Sequence, residues 1–302
     1  MSAPVINLFG IPRAALPKVL PSDALFGVSD FNGTLSNPIP LHAMLGDFRA
    51  ALAARDCLAP RQVKATYGTG SSVMLMAGDA PHPEHAWPCL EHCLEPRRQA
   101  PLCARRKPQL HGAVVTWLKN KVHLIESPDE LEGLIQEANQ NDRSYIVPAF
   151  TGLGAPWWDN GATDMLTDVT TLTGRAEIAK TCAECIPYQI ADVLNALRAD
   201  TGLALETLRA DGGVTKNAYL MQFQADMADT SVEASKLAEL SAAGAAFAAG
   251  HAAGLWTTNA IHERYGHKTY MLQMADPVRQ SKRSGRRTAF RQVRCHIADL
   301  SG

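Results

Sequence analysis

The sequence predicts an α/β fold, on three observations. Short apolar stretches that suit strands alternate along the chain with amphipathic stretches that suit helices. One segment, EIAKTCAECIPYQIADVLNALRAD, sets Ile178, Cys182, Ile186, Ile190, Val193 and Leu197 at three- and four-residue spacing, the spacing of a helix face laid on a core. Three glycine turns, at 68–70, 112 and 212–213, each stand beside a strand-like stretch or at the head of a helix-like one.

Bulk properties narrow the class. At 302 residues the chain makes one large or two ordinary domains, and an apolar content of 46% supports a sizeable core. A net charge of −1 argues against a global nucleic-acid footprint. No apolar run is long enough to span a membrane, so no membrane partner is expected. The start, MSAPVINLFGIPRAALP, reads as neither signal nor transit peptide. Seven cysteines in a chain this long form no disulfide framework, and a reducing, cytoplasmic setting is expected.

Taken in order, residues 1–40 are rich in proline and turns and read as a meandering connector with short strands. GDFRAALAARD (46–56) reads as a helix with an acidic cap, and QVKATYGTGSSVMLMAG as strand, glycine turn, strand. GAVVTWLKNKVHLI resumes helical patterning. PDELEGLIQEANQ opens with proline and acids, as a helix start does. SYIVPAF reads as a buried strand and TGLGAPWWDN as a glycine loop. After the long helix, Gly202 suits the position just past its end. LETLRAD reads as a strand, Asn217 to Met227 as a helix and SVEAS as a short strand. In ELSAAGAAFAAGHAAGLW, the small residues Ala243, Gly244, Ala246 and Gly250 predict close packing against a sheet.

Two stretches are compositionally foreign. Residues 79–111 lack sustained periodicity and concentrate proline, histidine, arginine and cysteine. His82, His85, Cys89, His92 and Cys93 are crowded enough for zinc, yet their spacing matches no standard finger or knuckle. The tail, 276–302, holds basic residues from Arg279 to Arg294 with no acid among them. It reads as solvated or disordered, the alternative being contact with nucleic acid or an acidic membrane.

Between its strand and its helix, LRADGGVTKNAYLMQF places Gly212 and Gly213. Glycine permits backbone angles closed to other residues and leaves the main chain open to a ligand. The following helix start presents free N–H groups and a positive dipole end, suited to a phosphate. The alternative is a tight turn with glycine used for geometry alone. KATYGTGSS adds a second glycine turn in which Thr69 offers a hydroxyl, and GAVVTWL a third at Gly112. Together they suggest a nucleotide held by main-chain groups, although neither a GxGxxG nor a Walker pattern is present.

GD-x-x-AAL (46–52), TYGTG, GAVVTWL, VPAFTGLGAPWWD, IPYQ, DGG-x-x-x-N-x-x-LMQFQAD and GAAFAAG, in that order, resemble the FGGY carbohydrate kinases. Agreement is dense over 46–78 and 112–256, and the likeness is greatest to members that phosphorylate glycerol. The resemblance implies an actin-like, ribonuclease-H-like ATPase domain over 41–275, a mixed sheet flanked by helices, forming the C-terminal half of a two-domain kinase. It implies ATP and Mg2+ as cofactors, and glycerol as substrate, with a ketose such as xylulose second. It also implies a complementing N-terminal domain, whose own motifs do not occur in this chain, and it is compatible with a homo-oligomer. Asp47 matches the general base, Thr69 a nucleotide-phosphate contact, Gly112 the lining of the nucleotide site, and Gly213 and Asn217 further nucleotide contacts. Without the resemblance, Asp47 and Asn217 would each read as helix caps.

Three departures stand out. Phe48 follows Asp47 where glycerol-phosphorylating members have a glutamine that contacts the polyol. Thr116 replaces a glutamine at the nucleotide site. Pro187 lies inside the best helix. In 79–111, and again from about Arg286, the family pattern is lost, as slips of reading frame in the coding DNA would cause. An alternative frame that restores the pattern is the expected finding on sequencing that DNA.

Overall fold

The computed structural model describes residues 3–55, 57, 59–68, 71–78, 89–92, 102–106, 111–237, 239–256 and 265–300. The first part is helix α1 (Ala3–Leu8) and an antiparallel hairpin of β1 (Leu25–Ser29) and β2 (Ile39–His42). This region leaves Leu8, Phe9, Val19, Val28, Phe31 and Met44 exposed. Helix α2 (Asp47–Ala54) leads into β3 (Val63–Tyr67) and β4 (Ser72–Gly78), an antiparallel pair as expected. The foreign stretch contributes two described strands, β5 (Cys89–His92) and β6 (Leu102–Arg106), which extend the sheet beyond β4. The rest of 79–110, and with it the zinc reading of that cluster, lies outside the described residues.

Helices α3 (His111–Asn120) and α4 (Glu130–Glu137) follow, then the small pair β7 (Tyr145–Val147) and β8 (Met165–Thr167). The long helix α5 (Arg175–Thr201) ends at Gly202 with φ 66°, the left-handed cap that glycine adopts without strain. Then come β9 (Thr207–Gly212), α6 (Ala218–Ala228), β10 (Ser231–Ser235), α7 (Leu240–Ala252), β11 (His267–Tyr270) and α8 (Asp276–Leu300).

The seven-stranded sheet runs β11-β10-β9-β3-β4-β6-β5. It is mixed: β10, β9 and β3 are parallel, while β11, β4, β6 and β5 add antiparallel pairs. Alternation along the strands separates its faces. Val63, Ala65, Tyr67, Leu208, Ala210 and Val232 enter one core with Ile186, Ile190 and Leu197 of α5. The intervening residues make the other face. There Met74 and Met76 pack with Leu52, Cys57 and Phe48, and Lys64 Nζ pairs with Asp211 Oδ2 at 2.7 Å. Their side chains are only 1% and 6% exposed, so the charges satisfy each other, and Lys64 also donates to Thr66 Oγ1.

Two expectations are corrected. Helix α7 makes its closest approach to a helix, not to the sheet: a Cβ on Gly244 would stand 1.7 Å from the Ala50 carbonyl of α2. Residues 276–300 are not a solvated tail. They form α8, whose Ala289, Phe290 and Val293 are buried with Val147, Ala149 and Leu153. Two of its cations find partners in the body of the fold: Arg283 donates to the carbonyl of Met227 at 2.7 Å, and Lys282 Nζ lies 3.7 Å from Glu184. Burial pulls the Lys282 ammonium below its ordinary pKa, against the attraction of Glu184.

Helix α5 runs unbroken through Pro187, although an interior proline removes one helical hydrogen bond and costs about 3 kcal/mol or more. Lost burial of the ring offsets part of that, at about 0.8 kcal/mol per methylene. Pro187→Ala is expected to raise the melting temperature by roughly 3 °C or more; a calorimetric scan showing no rise would contradict this. Lys64→Met strands the Asp211 carboxylate and is expected to destabilise by about 3–5 kcal/mol. In urea unfolding, the double variant with Asp211→Leu should recover much of that loss.

Candidate functional site

Strands β3 and β9 run side by side and end together, with Tyr67 opposite Gly212. Gly212 has φ 100°, and a Cβ there would lie 2.2 Å from the Tyr67 carbonyl. Only glycine permits this approach. The next residue differs: nothing stands within 4 Å of a Cβ on Gly213. From Gly213 to Lys216 the chain makes one 3-10 turn, pinned by Thr215 Oγ1 donating to the Gly212 carbonyl at 2.7 Å, and α6 begins.

Beyond the strand ends lies a cavity of about 620 Å³. Gly68 and Tyr67 form its floor, Gly213, Lys216 and Asn217 one side, and α3 the other through Val115, Thr116 and Lys119. The first residues of α4 close it, with Asp129 and Glu132 at the rim. Asn217 caps α6: its Oδ1 accepts the Leu220 N–H at 3.0 Å. That leaves its side-chain N–H groups without a protein partner among the described residues, at the edge of the cavity.

One wall is fixed from behind. Tyr67 Oη donates to Gln224 Oε1 at 2.7 Å, and Gln224 Nε2 donates to the Pro187 carbonyl at 3.3 Å. This chain joins β3, α6 and α5. Burial, with the Asp211 carboxylate adding to it, pushes the Tyr67 phenol well above its ordinary pKa, so Tyr67 stays a neutral donor.

The cavity therefore brings Gly213 and Asn217 together with Gly68 and Thr116. Gly112 is the second residue of α3, three residues before Val115 on the cavity wall. Thr69 lies outside the described residues. Asp47 stands apart, exposed at the start of α2. It is the first helical residue, not the cap, a position Gly46 occupies. Its Oδ1 accepts the Phe48 N–H at 2.9 Å, and its carbonyl accepts from Ser241 Oγ at 3.1 Å. Phe48 turns inward onto the cluster of Leu52, Cys57, Met74 and Met76. The wall built by Lys119, Asp129 and Glu132 was not legible: both helices were, but no local pattern brings the end of α3 against the start of α4.

Among the described residues, no group of three or more His, Cys, Asp and Glu is placed to hold a metal ion. No described helix is long and apolar enough to cross a membrane.

Comparison with known proteins agrees with this geometry. The chain is 39% identical over 268 residues to the glycerol kinase of Rhizorhabdus wittichii, covering 87% of this chain and 52% of that protein. It is 37% identical to the glycerol kinase of Rhodopirellula baltica, covering 94% of this chain and 53% of that protein. The chain thus spans about half the length of the curated relatives it matches. The crystal structure of Plasmodium falciparum glycerol kinase with ADP superposes with a TM-score of 0.88 at 27% identity, over 97% of this chain and 59% of that one. The model of the C-terminal domain of the FGGY family of carbohydrate kinases matches residues 63–253. That match covers more than half of the chain, with six of the seven strands of the mixed sheet and the cavity at its strand ends, and the chain belongs to the FGGY family of carbohydrate kinases.

Proposed function

We propose that this chain supplies the C-terminal, nucleotide-binding half of an ATP-dependent kinase that phosphorylates glycerol. The observation that carries the reading is the cavity at the ends of β3 and β9, open above Gly213 and bordered by Asn217, whose side-chain N–H groups have no protein partner among the described residues. Its size lies within the range of about 300–1,000 Å³ for small-molecule sites. The fit to a nucleotide is chemical as well. The space above Gly213 is open, Gly68 borders the cavity, the head of α6 faces the site, and the lining carries Lys119 and Lys216.

On this reading Asn217 hydrogen-bonds the nucleotide through its N–H groups while its oxygen holds the helix cap. Gly213 gives the ligand room that any side chain would fill. Thr69, on the loop after β3, contacts phosphate, and Gly112 shapes the approach at the start of α3. ATP supplies the transferable phosphoryl group, with Mg2+ entering on its phosphates. Asp47 takes the proton of the substrate hydroxyl, since phosphoryl transfer is mostly positioning and the nucleophile must lose its proton.

The exposed apolar residues between Leu8 and Met44 support a complementing N-terminal kinase domain that covers them. That domain would contribute most contacts to glycerol. A second reading, nucleotide binding without turnover, is favoured by one observation: Phe48 is spent in the core beside Asp47 and offers no amide to a polyol.

Calorimetric titration with Mg-ADP tests the site. Gly213→Val is expected to leave the melting temperature unchanged and to weaken binding at least about tenfold, whereas Gly212→Val is expected to unfold the domain. Equal binding by native and Gly213→Val chains would sink the assignment. With the N-terminal domain supplied, Asp47→Asn is expected to slow transfer from ATP to glycerol by about 10²–10⁴-fold. Mg-ADP affinity should hold, and undiminished transfer would remove Asp47 from the role.

A further inference from the structure

A second cavity, of about 600 Å³, lies between α5, α8 and the loop after β7. Four arginines of α8 line it: Arg283, Arg286, Arg287 and Arg291. The acid facing them is Asp192. Trp157, Tyr188, Met227 and Phe290 supply an apolar surface, and Trp157 and Phe290 lie with ring centroids 4.3 Å apart.

The four cations are not equivalent. Arg283 is committed to the Asp226 and Met227 carbonyls, and Arg287 and Arg291 reach solvent. Arg286 is 4% exposed, its guanidinium 5.5 Å from the centre of the Phe290 ring. Its Nε, Nη1 and Nη2 have no hydrogen-bond partner among the described residues. A buried guanidinium without partners forfeits its hydration and gains nothing in return. Asp192 is close enough to feel both Arg286 and Arg287, but it forms no ion pair with either among the described residues.

We propose that this cavity binds an organic phosphate, a phosphate monoester carrying an aromatic or apolar group. Its phosphate oxygens accept hydrogen bonds from Arg286 and Arg287, whose planar forks match that geometry. Four cations against one carboxylate leave an excess of positive charge for a dianion. The Trp157, Tyr188 and Phe290 surface takes the apolar group. The site is separate from the cavity beyond β3 and β9: the two share no lining residue.

The test uses the full chain with phenyl phosphate as probe, and inorganic phosphate and phenol as its two halves. Phenyl phosphate is expected to bind saturably with a dissociation constant below about 1 mM, more tightly than either half. Arg286→Met is expected to weaken it at least about tenfold, and Gly213→Val to leave it unchanged. Without ligand, Arg286→Met should melt no lower than the native chain, because it removes an unpaired buried charge. A lower melting temperature would mean that Asp192 already satisfies Arg286, and would overturn the proposal. So would absence of saturation up to about 10 mM, loss of binding in Gly213→Val, or full binding in Arg286→Met. The more exposed Arg287→Gln gives an independent reading: weakened binding supports the site, and unchanged binding overturns it.

Discussion

The architecture turns on the contact between the Gly212 backbone and the Tyr67 carbonyl. Two parallel strands from distant parts of the sequence must end side by side, and the chain leaving one must clear the end of the other. A residue with a side chain at 212 would push β9 away from β3. The hydrogen bonds from Tyr67 to Gln224 and from Gln224 to the Pro187 carbonyl would then lose their registry. The same junction carries the Lys64–Asp211 pair on its other face. Close approach on one side and a desolvated ion pair on the other hold one joint, and the first cavity opens at its end.

Much of this was legible in the sequence because the signals were local. The spacing from Ile178 to Leu197 gave α5 and its Gly202 stop, and the glycine turns marked the strand ends. The Asn217 cap was readable too, and its oxygen serves it while its side-chain nitrogen makes no hydrogen bond among the described residues. What was hidden depends on partners far along the chain. Ala289, Phe290 and Val293 are too few, and too enclosed by basic residues, to declare a buried stripe, yet they complete a core with Val147 and Leu153. The small residues of α7 announced close packing, but no local pattern says whether a sheet or another helix receives them.

Asp47 and the first cavity illustrate a different limit. Sequence resemblance links them through a family's chemistry, whereas the fold sets Asp47 on an exposed helix start and the cavity beyond the sheet. In a phosphoryl transferase the acceptor and the donor must meet in line. On the function proposed above, the residues of this half form the donor's side of such a meeting, and Asp47 faces outward to the other.

Gly244 bears on the mechanics of that meeting. Because α7 approaches α2 through backbone atoms at Ala50, and Ser241 bonds the Asp47 carbonyl, the two helices have no layer of flexible side chains between them at that point. They behave as a single lever. A displacement of the α2 backbone at Asp47 therefore takes α7 with it, and a force applied to α7 is felt at the start of α2.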